Sequence, residues 1–190
     1  MLPLFRSEGQ ARLLARIYLL ADRPAPVSEL ARELGVDRGT LTREADRLEQ
    51  AGLIRSERLG RQRILHPDRD SLYYPELSTL LLKALGPASL IEPAVTELQG
   101  VERAFLIGSW AARYLGDPGP PPGDVDVLLI GTPEWGAVAR MARELTDTLG
   151  QEVNPTILSL EQWEDAESGF VRQVRQEPRL ELAVRSAERR

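Results

Sequence analysis

An apolar run that breaks on a glycine and a serine, Phe105-Leu106-Ile107-Gly108-Ser109-Trp110, precedes a second run that opens on two alternate carboxylates, Asp124-Val125-Asp126-Val127-Leu128-Leu129-Ile130. No other feature narrows the folds open to the chain as much. The first run reads as a strand whose small-residue turn starts a short helix, and the second as the next strand. Residues two apart on a strand point to the same side, so Asp124 and Asp126 are predicted to project together. Neighbouring carboxylates repel unless a cation lies between them, and hard oxygen ligands suit Mg²⁺ held together with substrate phosphates. Gly108-Ser109 at a helix start leaves backbone N–H groups for a phosphate. One part is thus expected to hold a triphosphate and the other its metal.

The alternatives for such a site are few. The chain has no cysteine and a single histidine, His66, which removes disulfides, thiolate metal centres and His-rich sites. His66 reads as a strand-end residue rather than a catalytic base, because no second His or Cys supports it. No run approaches the ~18 apolar residues of a membrane span, and Met1-Leu2-Pro3-Leu4-Phe5 is too short for a secretory signal, so a cytoplasmic protein is expected. With 190 residues there is room for one large domain or two small ones.

Charge favours two. Residues 1–66 carry 12 Arg against 9 acids, whereas residues 67–190 carry 12 basic against 20 acidic groups. A basic front and an acidic back point to modules with different partners. In the front part, helical spacing of Leu13, Leu14, Ile17 and Tyr18 predicts a helix from Ser7 to Leu20, with Ser7 as N-cap. Ser28 is expected to cap a second helix ending at Gly35. Asp37 caps a third, Arg38 to Ala51, stopped by Gly52. Leu53 to Arg58 and Arg61 to His66 read as two strands around Leu59-Gly60.

Two helices across a three-residue turn, then a hairpin, have winged helix-turn-helix proportions. The runs Val27 to Val36 and Leu48-Glu49-Gln50-Ala51-Gly52-Leu53-Ile54 look like bacterial and archaeal winged-helix regulators such as the ArsR and MarR types. The resemblance implies a third helix in the DNA major groove and a wing on the backbone. The residues agree independently. Leu41, Ala45 and Leu48 share one face, leaving Arg38, Thr40, Thr42, Arg43 and Arg47 to face outward, a suitable set for base edges. Arg58, Arg61 and Arg63 cluster about the hairpin, where phosphates would lie. A double-stranded DNA partner and a homodimer are expected.

Pro75 to Leu85 and Pro87 to Leu98 read as helices of a connector. The proline-rich stretch Gly116 to Gly123 reads as a stiff loop. Glu134 to Leu149 is an amphipathic helix, and Glu152 to Leu158 a third strand. Ser159 caps another helix, Phe170 to Val174 begins a last one, and Leu180 to Val184 forms an apolar tail. The expected architecture is a two-domain α+β/α/β chain: a winged helix at 1–70, a helical connector at 71–98, and an α/β domain with a mixed sheet at 99–190.

Gly-Ser followed by Asp-x-Asp on the next strand resembles the nucleotidyltransferase signature of the polymerase-beta-like superfamily. The stretches Leu149 to Thr156 and Ser159-Leu160-Glu161-Gln162-Trp163 are similar to the minimal nucleotidyltransferase-like domains fused to winged-helix regulators in prokaryotes. The resemblance implies Gly108 and Ser109 on the nucleotide, Asp124 and Asp126 on Mg²⁺ and in catalysis, and ATP or another nucleoside triphosphate as ligand. Three departures accompany it. Asn154 stands where a third carboxylate completes the site and serves as base, Ala112 stands where an Arg is usual, with Arg113 one place on, and Gly123 replaces a Ser. Glu152 is a substitute acid one alternation away. An amide cannot take a proton from a hydroxyl, and general-base catalysis alone is worth ~10²–10⁴ in rate. The expectation is a transcriptional regulator with a degenerate, nucleotide-sensing domain. The alternative is an active Mg-dependent nucleotidyltransferase modifying a protein, nucleic acid or small molecule, or acting as a toxin–antitoxin antitoxin.

Overall fold

The computed structural model describes residues 4–117, 122–165 and 169–184. The chain divides into two compact units, Met1–Gly86 and Pro87–Arg190. The first of the two expected connector helices packs within the first unit and the second within the other. No helix among the described residues is long and apolar enough to cross a membrane.

The first unit runs α1 (Glu8–Leu19), β1 (Ala25–Pro26), α2 (Val27–Leu34), α3 (Arg38–Gln50), β2 (Ile54–Leu59), β3 (Gln62–Pro67) and α4 (Tyr74–Leu85). Its antiparallel sheet has the order β1-β3-β2. The Ser7 side chain accepts from the Gln10 N–H and that of Asp37 from the Thr40 N–H, so two of this unit's three predicted caps are present. Ser28 is not a cap. Ala25 and Pro26 pair with Leu65 and Ile64 of β3, and this pairing leaves Pro26 extended at the N-cap of α2, with no side chain bonded there. The helix therefore starts two residues earlier than the serine suggests. Leu13, Ile17, Leu30, Leu41, Leu48, Ile54 and Leu65 form the core, joined by Leu81 of α4. Tyr18 lies in this core, and its hydroxyl donates to the Leu53 carbonyl at 2.5 Å; burial pushes its pKa up to about 12.

The second unit runs α5 (Pro87–Thr96), β4 (Val101–Ile107), α6 (Gly108–Tyr114), β5 (Asp124–Gly131), α7 (Trp135–Leu149), β6 (Glu152–Leu158), α8 (Leu160–Glu164), α9 (Gly169–Gln176) and β7 (Arg179–Leu182). The sheet is mixed, with the order β6-β5-β4-β7. β5 pairs parallel to β6, while β4 pairs antiparallel to both β5 and β7. The expected apolar tail is thus a fourth strand. Pro178 breaks the chain just before it, but only pairing with β4 makes the segment a strand.

Alternation gives the sheet two faces. Leu128 and Ile130 pack with Phe105, Trp163, Val171 and Val174, so α8 and α9 cover the face that also bears Asp124 and Asp126. Pro155 lacks a backbone donor and sits on β6, an edge strand, where that loss is tolerated. Residues 118–121 of the proline-rich stretch lie outside the described residues. At its far end the buried Gln151 side chain donates to the Pro122 carbonyl at 2.6 Å, fixing the chain as it enters β5.

Candidate nucleic-acid interface and a carboxylate pair

α3 is amphipathic in the required sense. Leu41, Ala45 and Leu48 are buried, and Arg38, Thr40, Arg43 and Arg47 are exposed, with Thr42 half-buried between the two faces. The Thr42 hydroxyl donates to the Arg38 carbonyl at 2.8 Å, and Arg43 donates to the Thr40 hydroxyl at 3.1 Å. These bonds hold the outward residues of the first two turns in defined positions without using the Arg38 guanidinium.

α2, α3 and the wing enclose a groove of about 280 Å³ lined by Arg38, Thr42, Arg58, Arg61 and Arg63, with Ser28 at its rim. Among the described residues, Arg38, Arg58 and Arg61 take part in no salt bridge. Three uncompensated guanidiniums around one groove form a strong local anion site. Sequence reasoning misses two of its polar residues. Ser28, expected as a cap, lies in the first turn of α2, and Gln62 lines the groove from β3. The pairing of β1 with β3 is what brings them there, and it leaves no mark in the local sequence.

Arg63 departs from expectation. Its guanidinium binds Asp46 at 2.5 Å and Glu49 at 2.6 Å, both on α3. Glu49 also accepts from the Ser56 hydroxyl and N–H, and these bonds hold its carboxyl below the usual range. The arginine expected on a phosphate fastens β3 to α3, and Ser56 fastens β2 through the same Glu49. Arg47 is partly neutralised as well, at 3.3 Å from Glu44. Charge alone could not separate these two from Arg58 and Arg61; the distance to a carboxylate does.

In the second unit the register aligns Asp124 with Glu152 and Asp126 with Asn154. The Asn154 amide donates to the Asp124 carboxylate at 3.2 Å. Gly108 has φ +66, and a Cβ there would lie 2.9 Å from a carboxylate oxygen of Asp126. The end of β4 therefore approaches the paired acids closely, and only glycine leaves room for it. Gly108, Asp124, Asp126 and Asn154 thus come together, with Ser109 exposed one residue on. Among the described residues no group of three or more His, Cys, Asp or Glu could hold a metal ion. The cluster is two carboxylates and an amide.

Burial, and then the charge of Asp124, pushes the Asp126 carboxyl above its ordinary range, with the Asn154 hydrogen bond opposing. The folded protein then binds this proton more tightly than the unfolded chain. The associated stability is full below the ordinary carboxyl pKa and is lost as pH rises through the raised one. Asp126→Asn is accordingly expected to raise the melting temperature of the second unit at pH 7 and to change it little at pH 3. Equal shifts at both values would show that the carboxylate is not under strain.

Residues 7–61 match the family model of the MarR family. Among solved structures, a point mutant of Lactococcus lactis ZitR is 18% identical over 49% of this chain, with a TM-score of 0.34. A second ZitR mutant is 20% identical over 51% of this chain and 70% of its own, with a TM-score of 0.34. A probable transcriptional regulator from Pseudomonas aeruginosa is 26% identical over 48% of this chain and 73% of its own, with a TM-score of 0.33. The match spans 64% of the length of the first of these chains. No curated protein matches. The helices, the wing and the family match together identify residues 7–61 as a winged-helix domain of the MarR regulator family.

Proposed function

We propose that the protein is a transcriptional regulator that binds duplex DNA through residues 37–63 as a homodimer. In the same reading, its second unit is a nucleotidyltransferase-like domain that senses a nucleotide instead of transferring one. The groove in which Arg38, Arg58 and Arg61 converge without carboxylate partners carries the DNA reading. Phosphate contacts from these residues set the position of the duplex, and α3 presents Arg43 and Thr40 to base edges. Arg43→Ala is expected to weaken discrimination between a selected operator and random duplex by about 1–3 kcal/mol, if the contact is bidentate. Binding-site selection followed by anisotropy titration tests this; unchanged discrimination would remove Arg43 from base readout.

The nucleotide reading is supported by the meeting of Gly108, Asp124, Asp126 and Asn154 at one end of the sheet. The donor set fits a hard divalent cation, because two mutually repelling carboxylates supply anionic oxygens and bound phosphates would complete the shell. Mg²⁺ would supply charge neutralisation for those phosphates. Asp124 and Asp126 would hold it, and Gly108 leaves the space a phosphate chain needs beside them. Asn154 can orient Asp124 but cannot remove a proton from an attacking hydroxyl, so the chain's own residues bind and do not activate.

Asn154→Asp is expected to raise any trace of nucleotidyl transfer from labelled triphosphate, while Asp124→Asn abolishes Mg-dependent nucleotide binding. Robust transfer by the unmodified protein, insensitive to Glu152→Gln, would overturn the sensing reading in favour of an enzyme.

A further inference from the structure

We propose that Arg179 binds the terminal phosphates of a nucleoside triphosphate whose metal-bound phosphates lie at Asp124 and Asp126. The inference rests on the nucleotide reading above and assigns a second pole to that site. It follows from strand order and register. β7 pairs with β4 so that Arg179 stands opposite Ile107, and Ile107 stands opposite Asp126, which is itself aligned with Asn154. Residues in one row across a sheet share a face, so Asn154, Asp126, Ile107 and Arg179 lie side by side on the face bearing the carboxylates. Strands are spaced about 4.8 Å apart, which puts the Cα of Arg179 roughly 10 Å from that of Asp126, a span that a phosphate chain reaching toward the guanidinium can cover.

The side chain is also held for this role. One guanidinium nitrogen of Arg179 donates to the carbonyls of Arg175 at 2.5 Å and Val174 at 3.4 Å, at the C-terminal end of α9. A single anchored nitrogen fixes the head group and leaves Nε and the second terminal nitrogen as donors. No carboxylate lies within salt-bridge distance of Arg179 among the described residues. Glu181, two residues along the same strand, is paired with Arg103 at 2.8 Å and does not compete. A cation at one pole and a carboxylate pair suited to Mg²⁺ at the other match a tri- or diphosphate better than a monophosphate, which reaches only one of them.

The test is calorimetric titration of the full-length protein in Mg²⁺ with ATP and, separately, AMP, for the parent, Arg179→Gln, Arg179→Lys and Asp124→Asn. Arg179→Gln should weaken ATP about tenfold, as expected for removal of a charged hydrogen bond, and leave AMP within about twofold. Equal losses for ATP and AMP, or no loss, would overturn the role of Arg179 while leaving the nucleotide reading intact. Should the glutamine variant not fold, since it also gives up the α9 carbonyls, Arg179→Lys keeps the charge. It is expected to weaken ATP about threefold with AMP unchanged, and undiminished ATP affinity there would overturn the inference. If the parent binds neither nucleotide, or Asp124→Asn binds ATP as the parent does, the nucleotide reading itself fails and this inference with it.

Discussion

Replacing Arg58 and Arg61 together with alanine is expected to cost about two orders of magnitude in affinity for any duplex at physiological salt, whatever its sequence. Both residues are exposed at the wing end, line the groove, and have no carboxylate partner among the described residues. Neither contributes to the core, so folding should not change. Each guanidinium that meets a phosphate releases condensed counterions, and the dependence of log K on log salt should flatten by about 0.9 for each phosphate left without its arginine. Anisotropy titrations across a salt series measure affinity and slope together. A double variant with lower affinity but the parent's slope would mean that the arginines do not touch phosphate. Arg63→Ala is no substitute for this experiment. It would break the ties to Asp46 and Glu49, so any weaker binding would reflect a displaced wing.

The second large effect is expected at Gly131→Ala. Gly131 closes β5 with φ +135, a conformation side chains rarely adopt, and a Cβ there would lie 2.1 Å from the Gly100 carbonyl oxygen. That oxygen already accepts from the Thr132 N–H at 2.8 Å. The β4–β5 pairing is irregular between Val101 and Arg103, so the strands approach here by backbone alone. Both sides of the clash are backbone and cannot rotate away. Overpacking and a forced left-handed conformation each cost about 1–3 kcal/mol, so a loss of roughly 3 kcal/mol or more is expected. In calorimetry, the transition of the second unit should fall while that of the first stays in place. A melting temperature within a degree of the parent would show that β4 and β5 re-register without penalty.

Much of this protein is written locally. Ser7 and Asp37 cap their helices because short-range hydrogen bonding needs only the next three residues. The wing, the amphipathic α3 and the two alternate aspartates likewise follow from periods of 2 and 3.6 that can be counted along the chain. The place of Asn154 is instead implied by the resemblance, and the parallel register of β6 on β5 is what aligns it with Asp126.

Pairing between distant segments decided the rest. Ser28 has no capping role because Ala25 and Pro26 join β3, almost forty residues away in the chain. Leu180 to Leu182 are strand because β4 had a free edge, and Arg179 comes into the carboxylates' row for the same reason. Arg63 and Arg58 carry the same charge five residues apart, yet one clamps the wing and the other is left for a ligand. The difference is which of them the hairpin brings within reach of Asp46 and Glu49. Sequence determines which residues carry charge; long-range pairing determines which charges remain uncompensated, because Coulomb energy depends on distances that only the folded chain sets.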